Sequence, residues 1–262
     1  MSVLAPETQA CYARALQALN TARVPVLVGG AYAFARYTGI SRHTKDFNVF
    51  LRRSECERAF AALRSAGFHT ELTFPHWLGK ASCQHGYVDV IFNSGNGVAY
   101  VDDGWFKHAT PGRVFGVDVL LCPVEETIWS KAFIMERERY DGADIAHLIR
   151  ARADRFDWPR LRRRYGPHWR VLLTHLILYG FIYPAERARV PNEVMEELLE
   201  RLAQELKEPP PTDRVCNGTI LSRGQYLVDV DVWGYADARV EPLGNMTPEQ
   251  TAHWTAAIER DG

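Results

Sequence analysis

One stretch of the chain, VLVGGAYAFARYTGISRHTKDFNVF from Val26 to Phe50, limits the folds open to the rest. The apolar run from Val24 to Val28 is short enough for a buried strand. Gly29 and Gly30 follow, then AYAFARY with helix-compatible spacing and a turn at Thr38-Gly39. The segment from Thr44 to Leu51 alternates as a strand does. Strand, Gly-Gly turn and helix make an anion cradle, because without Cβ atoms the backbone N–H groups at a helix N-terminus can be approached closely. On the returning strand the period of two puts Thr44, Asp46 and Asn48 on one face and Phe47, Val49 and Leu51 on the other. A carboxylate and a carboxamide oxygen therefore stand side by side near a triphosphate-sized anion site.

This arrangement resembles the polymerase-beta-type nucleotidyltransferase fold, in which Gly-Gly or Gly-Ser precedes a helix and Asp-x-Asp lies on the next strand. Here the pieces are Gly29, Gly30 and Asp46, with Asn48 in place of the second Asp. The third carboxylate of that pattern would be Asp89, in the strand GYVDVIF, where it faces away from Val88 and Val90. Arg42 and Thr44 match the Arg-x-Thr-x-Asp approach of many members. The resemblance implies an α+β domain with a mixed sheet, an NTP substrate, and Mg²⁺ or Mn²⁺ held by Asp46, Asn48 and Asp89. Such a cation bridges phosphate oxygens and activates a hydroxyl. Asn48 removes one unit of negative charge, so one metal would be tight and a second weak or brought by the nucleotide.

A second set lies in PVEETIWSKAFIMERERYDGADIAHL. Glu126-x4-Lys131, then Arg139-x-Asp141-x-x-Asp144, is similar to the helical motifs of the abortive-infection branch of these transferases. That likeness gives Lys131 to the triphosphate and Asp141 or Asp144 to positioning substrate or metal. A salt-bridged helix pair explains Glu126 and Arg139 equally well. The likeness spans residues 24–150.

The bulk properties fit a globular chain of one large or two modest domains: 262 residues, 47% hydrophobic, 24% charged. The formal net charge of −1 gives no global field to recruit nucleic acid. A local patch remains in RFDWPRLRRRYGPHWR, where Arg160, Arg162, Arg163, Arg164 and Arg170 interleave with Trp158, Tyr165 and Trp169. It would suit an RNA acceptor, but a solvated helix anchored by its aromatics fits the charge balance better. Cys11, Cys56, Cys83, Cys122 and Cys216 are scattered and odd in number, which argues against a disulfide framework and suits a reducing cytoplasm. His69, His76, Cys83 and His85 fit no compact zinc set. The opening MSVLAPETQACYARAL lacks the basic head and apolar core of a signal peptide. VLLTHLILYGFIYP is too short to span a membrane and reads as a buried helix.

Along the chain, the pattern predicts helices over Pro6–Leu19 and from Ser54, where Glu57 would complete a capping box and Gly67 is the stop. Strands are expected at Phe68–Phe74, Gly86–Phe92 and Val114–Leu121 with a turn at Gly116, and a short helix at Asp102–His108. From Pro123 the reading is helical: Val124–Tyr140, Gly142–Ala153, Pro159–Tyr165, His168–Tyr183 and Asn192–Leu206. Pro209-Pro210-Pro211 is a stiff linker to a tail apolar enough to pack back. The domains expected are residues 1–122 (nucleotidyltransferase-like), 123–207 (helical) and 208–262 (linker and tail).

The function expected is transfer of a nucleoside monophosphate from an NTP to an acceptor hydroxyl on a protein, a tRNA or a small molecule. The alternative is an impaired member that binds nucleotide or a partner without transferring, for which Asn48 is the best support. A toxin or antitoxin role is a further reading.

Overall fold

The computed structural model describes residues 4–41, 44 and 46–257. The chain forms two compact units, Met1–Pro123 with Met246–Gly262, and Val124–Asn245.

The first unit is α+β. Helix α1 (Pro6–Thr21) leads to strand β1 (Leu27–Val28), α2 (Gly30–Thr38), β2 (Asp46–Phe50) and α3 (Cys56–Ser65). Then come β3 (His69–Phe74), β4 (Leu78–Cys83), β5 (Gly86–Ile91), α4 (Asp103–Lys107), β6 (Thr110–Val114) and β7 (Val117–Leu121). The seven strands form one mixed sheet in the order β3-β4-β5-β2-β1-β7-β6. The alternation in the sequence becomes two unlike faces. Phe47, Val49, Val88, Val90 and Ala81 are fully buried. Their face is covered by the three long helices: Tyr12 of α1 stacks on Phe47, Tyr32 of α2 meets it edge-on, and Phe60 of α3 lies against Gly79. The opposite face carries the half-buried Asp46, Asn48, Tyr87 and Asp89. Strand, Gly-Gly turn, helix, strand with Asp-x-Asn and a later strand with Asp89 occur in the order expected for the nucleotidyltransferase-type sheet.

The second unit is mainly helical: α5 (Val124–Ala132), α6 (Gly142–Arg152), α7 (Trp158–Tyr165), α8 (Trp169–Ile182), α9 (Asn192–Glu205), then β8 (Val215–Cys216), α10 (Leu227–Asp231) and β9 (Ala236–Asp237). Its core includes Ile128, Leu148, Leu161, Tyr165, Leu172 and Tyr179. Helix α11 (Pro248–Ala256) belongs to the first unit. It opens on a complete Thr247–Gln250 capping box and lays Trp254 against Gly95.

Four expectations change. The helix from Val124 stops at Ala132 instead of Tyr140, because the next segment pairs elsewhere within its unit: Met135 N–H donates to the Leu221 carbonyl, and Glu136 accepts from Ser222 Oγ and the Arg223 amide. Those bonds replace the helical ladder. The capping box at Ser54 does not form; the chain enters α3 through a 3₁₀ turn, Arg53–Glu55, without a side-chain cap. Strand β4 was not foreseen, since LGKASC offers few β-formers and owes its conformation to strands on both sides. Finally, Cys11 and Cys83 are joined by a disulfide, although the cysteine pattern argued against such links. Their separation of 72 residues hides the approach of α1 to the β4–β5 turn, where Thr8 Oγ1 also donates to the His85 carbonyl. The cysteines therefore give no support to a reducing compartment. Among the described residues no helix is long and apolar enough to cross a membrane.

Candidate active site

The Gly-Gly turn fits its surroundings through the absence of two Cβ atoms. Gly30 sits at φ +56°, and a Cβ there would come within 2.3 Å of the Asn48 side-chain nitrogen, Nδ2. A Cβ on Gly29 would come within 2.3 Å of the Phe50 ring. The Gly29 amide is already engaged, donating to the Asn48 carbonyl at 3.0 Å. An anion at this end of α2 would thus meet the first-turn amides from Gly30 onward, which the helix leaves without partners of its own.

Strand pairing assembles the polar face. Parallel β2 and β5 place Asn48 beside Asp89 and Asp46 beside Tyr87; antiparallel β4 adds Lys80 beside Asp89, and β3 adds Glu71 beside Lys80. One row across four strands therefore reads Asn48, Asp89, Lys80, Glu71. The next reads Asp46, Tyr87, Ser82, His69. Asp46 and Asp89 are diagonal neighbours with Asn48 adjoining both. Thr44 reaches this site through Asp46: its hydroxyl hydrogen-bonds the Asp46 side chain and the Asp46 carbonyl, and accepts from the Asp46 amide. Arg42 lies outside the described residues.

Asp89 is the unusual member. Its Oδ1 is buried without a hydrogen-bond partner. Burial pushes its carboxyl up to about 6, Lys80 pulls the other way, and the Asp46 charge adds to the rise. Tyr87 is also pushed up, by burial first and then by Asp46 and Asp89. A negative field with an unpaired buried oxygen is what a hard cation would relieve. No group of three or more His, Cys, Asp or Glu suited to a metal occurs among the described residues. Asp46, Asn48 and Asp89 bring two carboxylates and a carboxamide oxygen, hard donors of the kind a divalent ion takes.

The set in the second unit is tied together by ion pairs among its own members. Lys131 Nζ donates to Asp141 Oδ2 at 2.6 Å and lies 2.9 Å from Asp144 Oδ2. Arg139 grips Asp141 with Nε at 3.0 Å and Nη2 at 2.9 Å. Burial would raise the Asp141 carboxyl, but these two cations hold it below the ordinary value. Lys131 is in the last turn of α5, Asp141 is the residue before α6 and Asp144 is in its first turn, so the short α5 is what brings them together. Glu126 is fully buried, accepting from Arg160 Nη1 at 2.6 Å and Arg164 Nε at 3.0 Å; Glu125 meets Arg160 Nη2 at 2.6 Å.

The same ion pairs absorb much of the basic aromatic run. Arg160 and Arg164 serve the two glutamates, Arg162 pairs with Glu197, and Arg170 pairs with Glu205 at 2.7 Å. Trp158, Tyr165 and Trp169 are buried in the core and offer no stacking platform to a base. Of the four residues weighed for zinc, Cys83 is in the disulfide and His76 Nε2 is 3.0 Å from the Gly95 carbonyl.

No protein-family model matches the chain, and no curated protein does so. Solved structures do. The antibiotic-resistance factor ANT(2'')-Ia superposes with a TM-score of 0.46 at 15% identity, over 64% of this chain and 95% of its own. The lincomycin-bound lincosamide antibiotic adenylyltransferase LnuA gives 0.39 at 14%, over 56% and 98%. JHP933 from Helicobacter pylori gives 0.41 at 10%, over 79% and 100%. LnuA is by its name an adenylyltransferase.

Lys80 and Tyr87 join the polar face beside the residues that the sequence singles out. Tyr87 stands two residues before Asp89, and the period of two would have put it on the same face. Lys80 could not be found without β4, which has no clear sequence signal.

Proposed function

We propose that this chain is a nucleotidyltransferase that uses a single face of its sheet to hold an NTP and one divalent cation. The observation that carries the reading is the register of β2 and β5, which sets Asp46, Asn48 and Asp89 together beside Gly30 with Asp89 Oδ1 unpartnered. Asp46 and Asp89, with the Asn48 carboxamide, would bind Mg²⁺ or Mn²⁺. When bound, the ion supplies charge neutralisation on the phosphates and polarises the phosphorus to be attacked. Thr44 orients the Asp46 carboxylate. The first-turn amides of α2 would bind phosphate oxygens, which the absence of side chains at Gly29 and Gly30 leaves room for. The acceptor hydroxyl oxygen bonds to the α-phosphorus as the phosphorus–oxygen bond to pyrophosphate breaks, and the hydroxyl proton leaves to a carboxylate of the site or to water.

The acceptor is a hydroxyl of a protein, a tRNA or a small molecule. The ion pairs of Arg160, Arg162, Arg164 and Arg170 and the buried aromatics of residues 158–170 speak against recruitment of RNA through that run, which leaves Arg163 as its exposed arginine outside those pairs. Lys131 and Asp141 or Asp144 keep their proposed parts at the triphosphate and substrate, which for Lys131 would require exchanging a carboxylate partner for a phosphate.

A second reading, nucleotide binding without transfer, is favoured by Asn48, since the site has two carboxylates where three are usual for the fold it resembles. Incubation with α-labelled NTPs, Mg²⁺ or Mn²⁺, and cell extract separates the two. Transfer predicts label on an acceptor, lost in Asp46→Ala. Metal-dependent binding without label in any fraction would establish the second reading instead.

A further inference from the structure

Lys80 is a cation on the candidate face that the site, as built so far, does not use. It sits directly across from Asp89 on β4, in the row Asn48, Asp89, Lys80, Glu71. Its ammonium lies over the Tyr87 ring, 5.1 Å from the centroid. A ring face holds an ammonium in place while leaving its N–H donors for another acceptor. Meanwhile Asp89 Oδ1, its neighbour across the strand, stays unpartnered. The arrangement is thus a half-buried lysine held one strand beyond an under-satisfied carboxylate, and among the described residues no ion pair within 4.0 Å engages it.

Charge counting gives this meaning. Three carboxylates with two dications leave one positive charge for a triphosphate. Two carboxylates with one dication leave none, and one ammonium restores the same excess. Asn48 supplies the missing carboxylate's place without its charge, so it lowers the demand for a second metal; Lys80 supplies the cation that metal would have been.

We propose that Lys80, held on Tyr87, takes the part of a second cation: it binds a phosphate oxygen of the nucleotide beside Asp89, and the site works with one divalent ion. The inference rests on the nucleotidyl-transfer reading and fixes how its charge is balanced. It also predicts an effect of two signs. Lys80 repels a bare metal ion and attracts the phosphates that accompany it, so removing its charge should help the first and harm the second.

The test is calorimetry on the full chain with three probes: Mn²⁺ alone, inorganic pyrophosphate with Mg²⁺, and each common NTP with Mg²⁺. Electron paramagnetic resonance counts bound Mn²⁺ in the nucleotide complex. Lys80→Met keeps the length of the stem. It should bind Mn²⁺ alone at least as tightly as wild type, and Mg²⁺–pyrophosphate and Mg²⁺–NTP about tenfold or more weakly, as expected for loss of a charge-assisted contact. Lys80→Arg should recover most of the nucleotide affinity, and wild type should hold one Mn²⁺ per chain. Weaker binding of pyrophosphate as well as NTP identifies the nucleotide's own phosphates as the partner. If wild type binds Mg²⁺–NTP and Lys80→Met binds it equally, or if two Mn²⁺ are held, the role of Lys80 is overturned while the nucleotidyl-transfer reading stands. If wild type binds no NTP with any metal, both fall.

Discussion

Two clusters of buried charge in this chain look alike in sequence and differ in how they are satisfied. On the polar face of the sheet in the first unit, Asp89 keeps an oxygen without a partner and its proton affinity is raised. In the second unit, Asp141 is gripped by Lys131 and Arg139 and its proton affinity is lowered. A carboxylate that the fold leaves short of partners stores an unfavourable term that a ligand can discharge, whereas one the fold has paired supports the fold itself. Carboxylates of the two kinds should therefore respond oppositely to the same substitution.

The largest effect is expected at Glu126, the most completely paired acid. Glu126→Ala takes the buried carboxylate away from both Arg160 and Arg164, leaving Arg160 to Glu125 and Asp157, and should lower unfolding free energy by about 3–5 kcal/mol. Chemical denaturation, followed by probes in each unit, measures it. A loss below about 1 kcal/mol would mean that water reaches these arginines and that the pairing is not what holds the unit.

Lys131→Met comes next. It leaves Asp141 with Arg139 alone and should cost about 2 kcal/mol. The same variant sharpens the functional side: a weakened NTP affinity supports the proposed phosphate role, and an unaltered dissociation constant with lowered stability assigns Lys131 to structure.

At Asp89 the sign should reverse. Asp89→Asn removes a buried charge without a matching partner, so the metal-free protein should gain roughly 1 kcal/mol while losing affinity for the cation. Asn48→Asp moves the other way: it adds a carboxylate beside Asp46 and Asp89, lowers stability without metal, and should enlarge the thermal shift produced by Mg²⁺–NTP. Thermal melts of both, with and without Mg²⁺–NTP, are decisive. A destabilised Asp89→Asn, or equal shifts for Asn48→Asp and wild type, would erase the contrast between the clusters.

The smallest effect is in the acid limb. The folded Asp141 carboxyl sits below its ordinary value of 3.8. Its contribution is full above that value and is lost as pH falls through the lower folded one. Wild type should thus lose more stability below about pH 4 than Asp141→Asn, which lacks the group. Parallel acid limbs for the two proteins would show that Asp141 is not held by its neighbours.

The two regions also differ in how far the sequence exposes them. Gly29, Gly30, Asp46 and Asn48 fall within one short pattern, and period-two alternation alone puts Asp46 and Asn48 on a common face. The partnership of Asn48 with Asp89 depends on register between strands far apart in sequence, yet each strand announces its own polar face. Lys80 escapes notice because β4 is a strand by virtue of its neighbours, not its residues. In the second unit, Glu126 and Lys131 lie on a recognisable helix, but the chain leaves it after Ala132 to pair with Leu221 and Ser222, contacts that no local pattern encodes. The Cys11–Cys83 link is hidden for the same reason.

The central claim is that Asp46, Asn48 and Asp89 form one cation-dependent nucleotide site. Calorimetric titration of metal-stripped wild type and Asp46→Ala with ATP and GTP, with and without Mg²⁺, tests it most directly. The account predicts binding to wild type only with Mg²⁺ and loss of most of that binding in Asp46→Ala. Undiminished binding in the variant, or equal affinity with and without the metal, would contradict it.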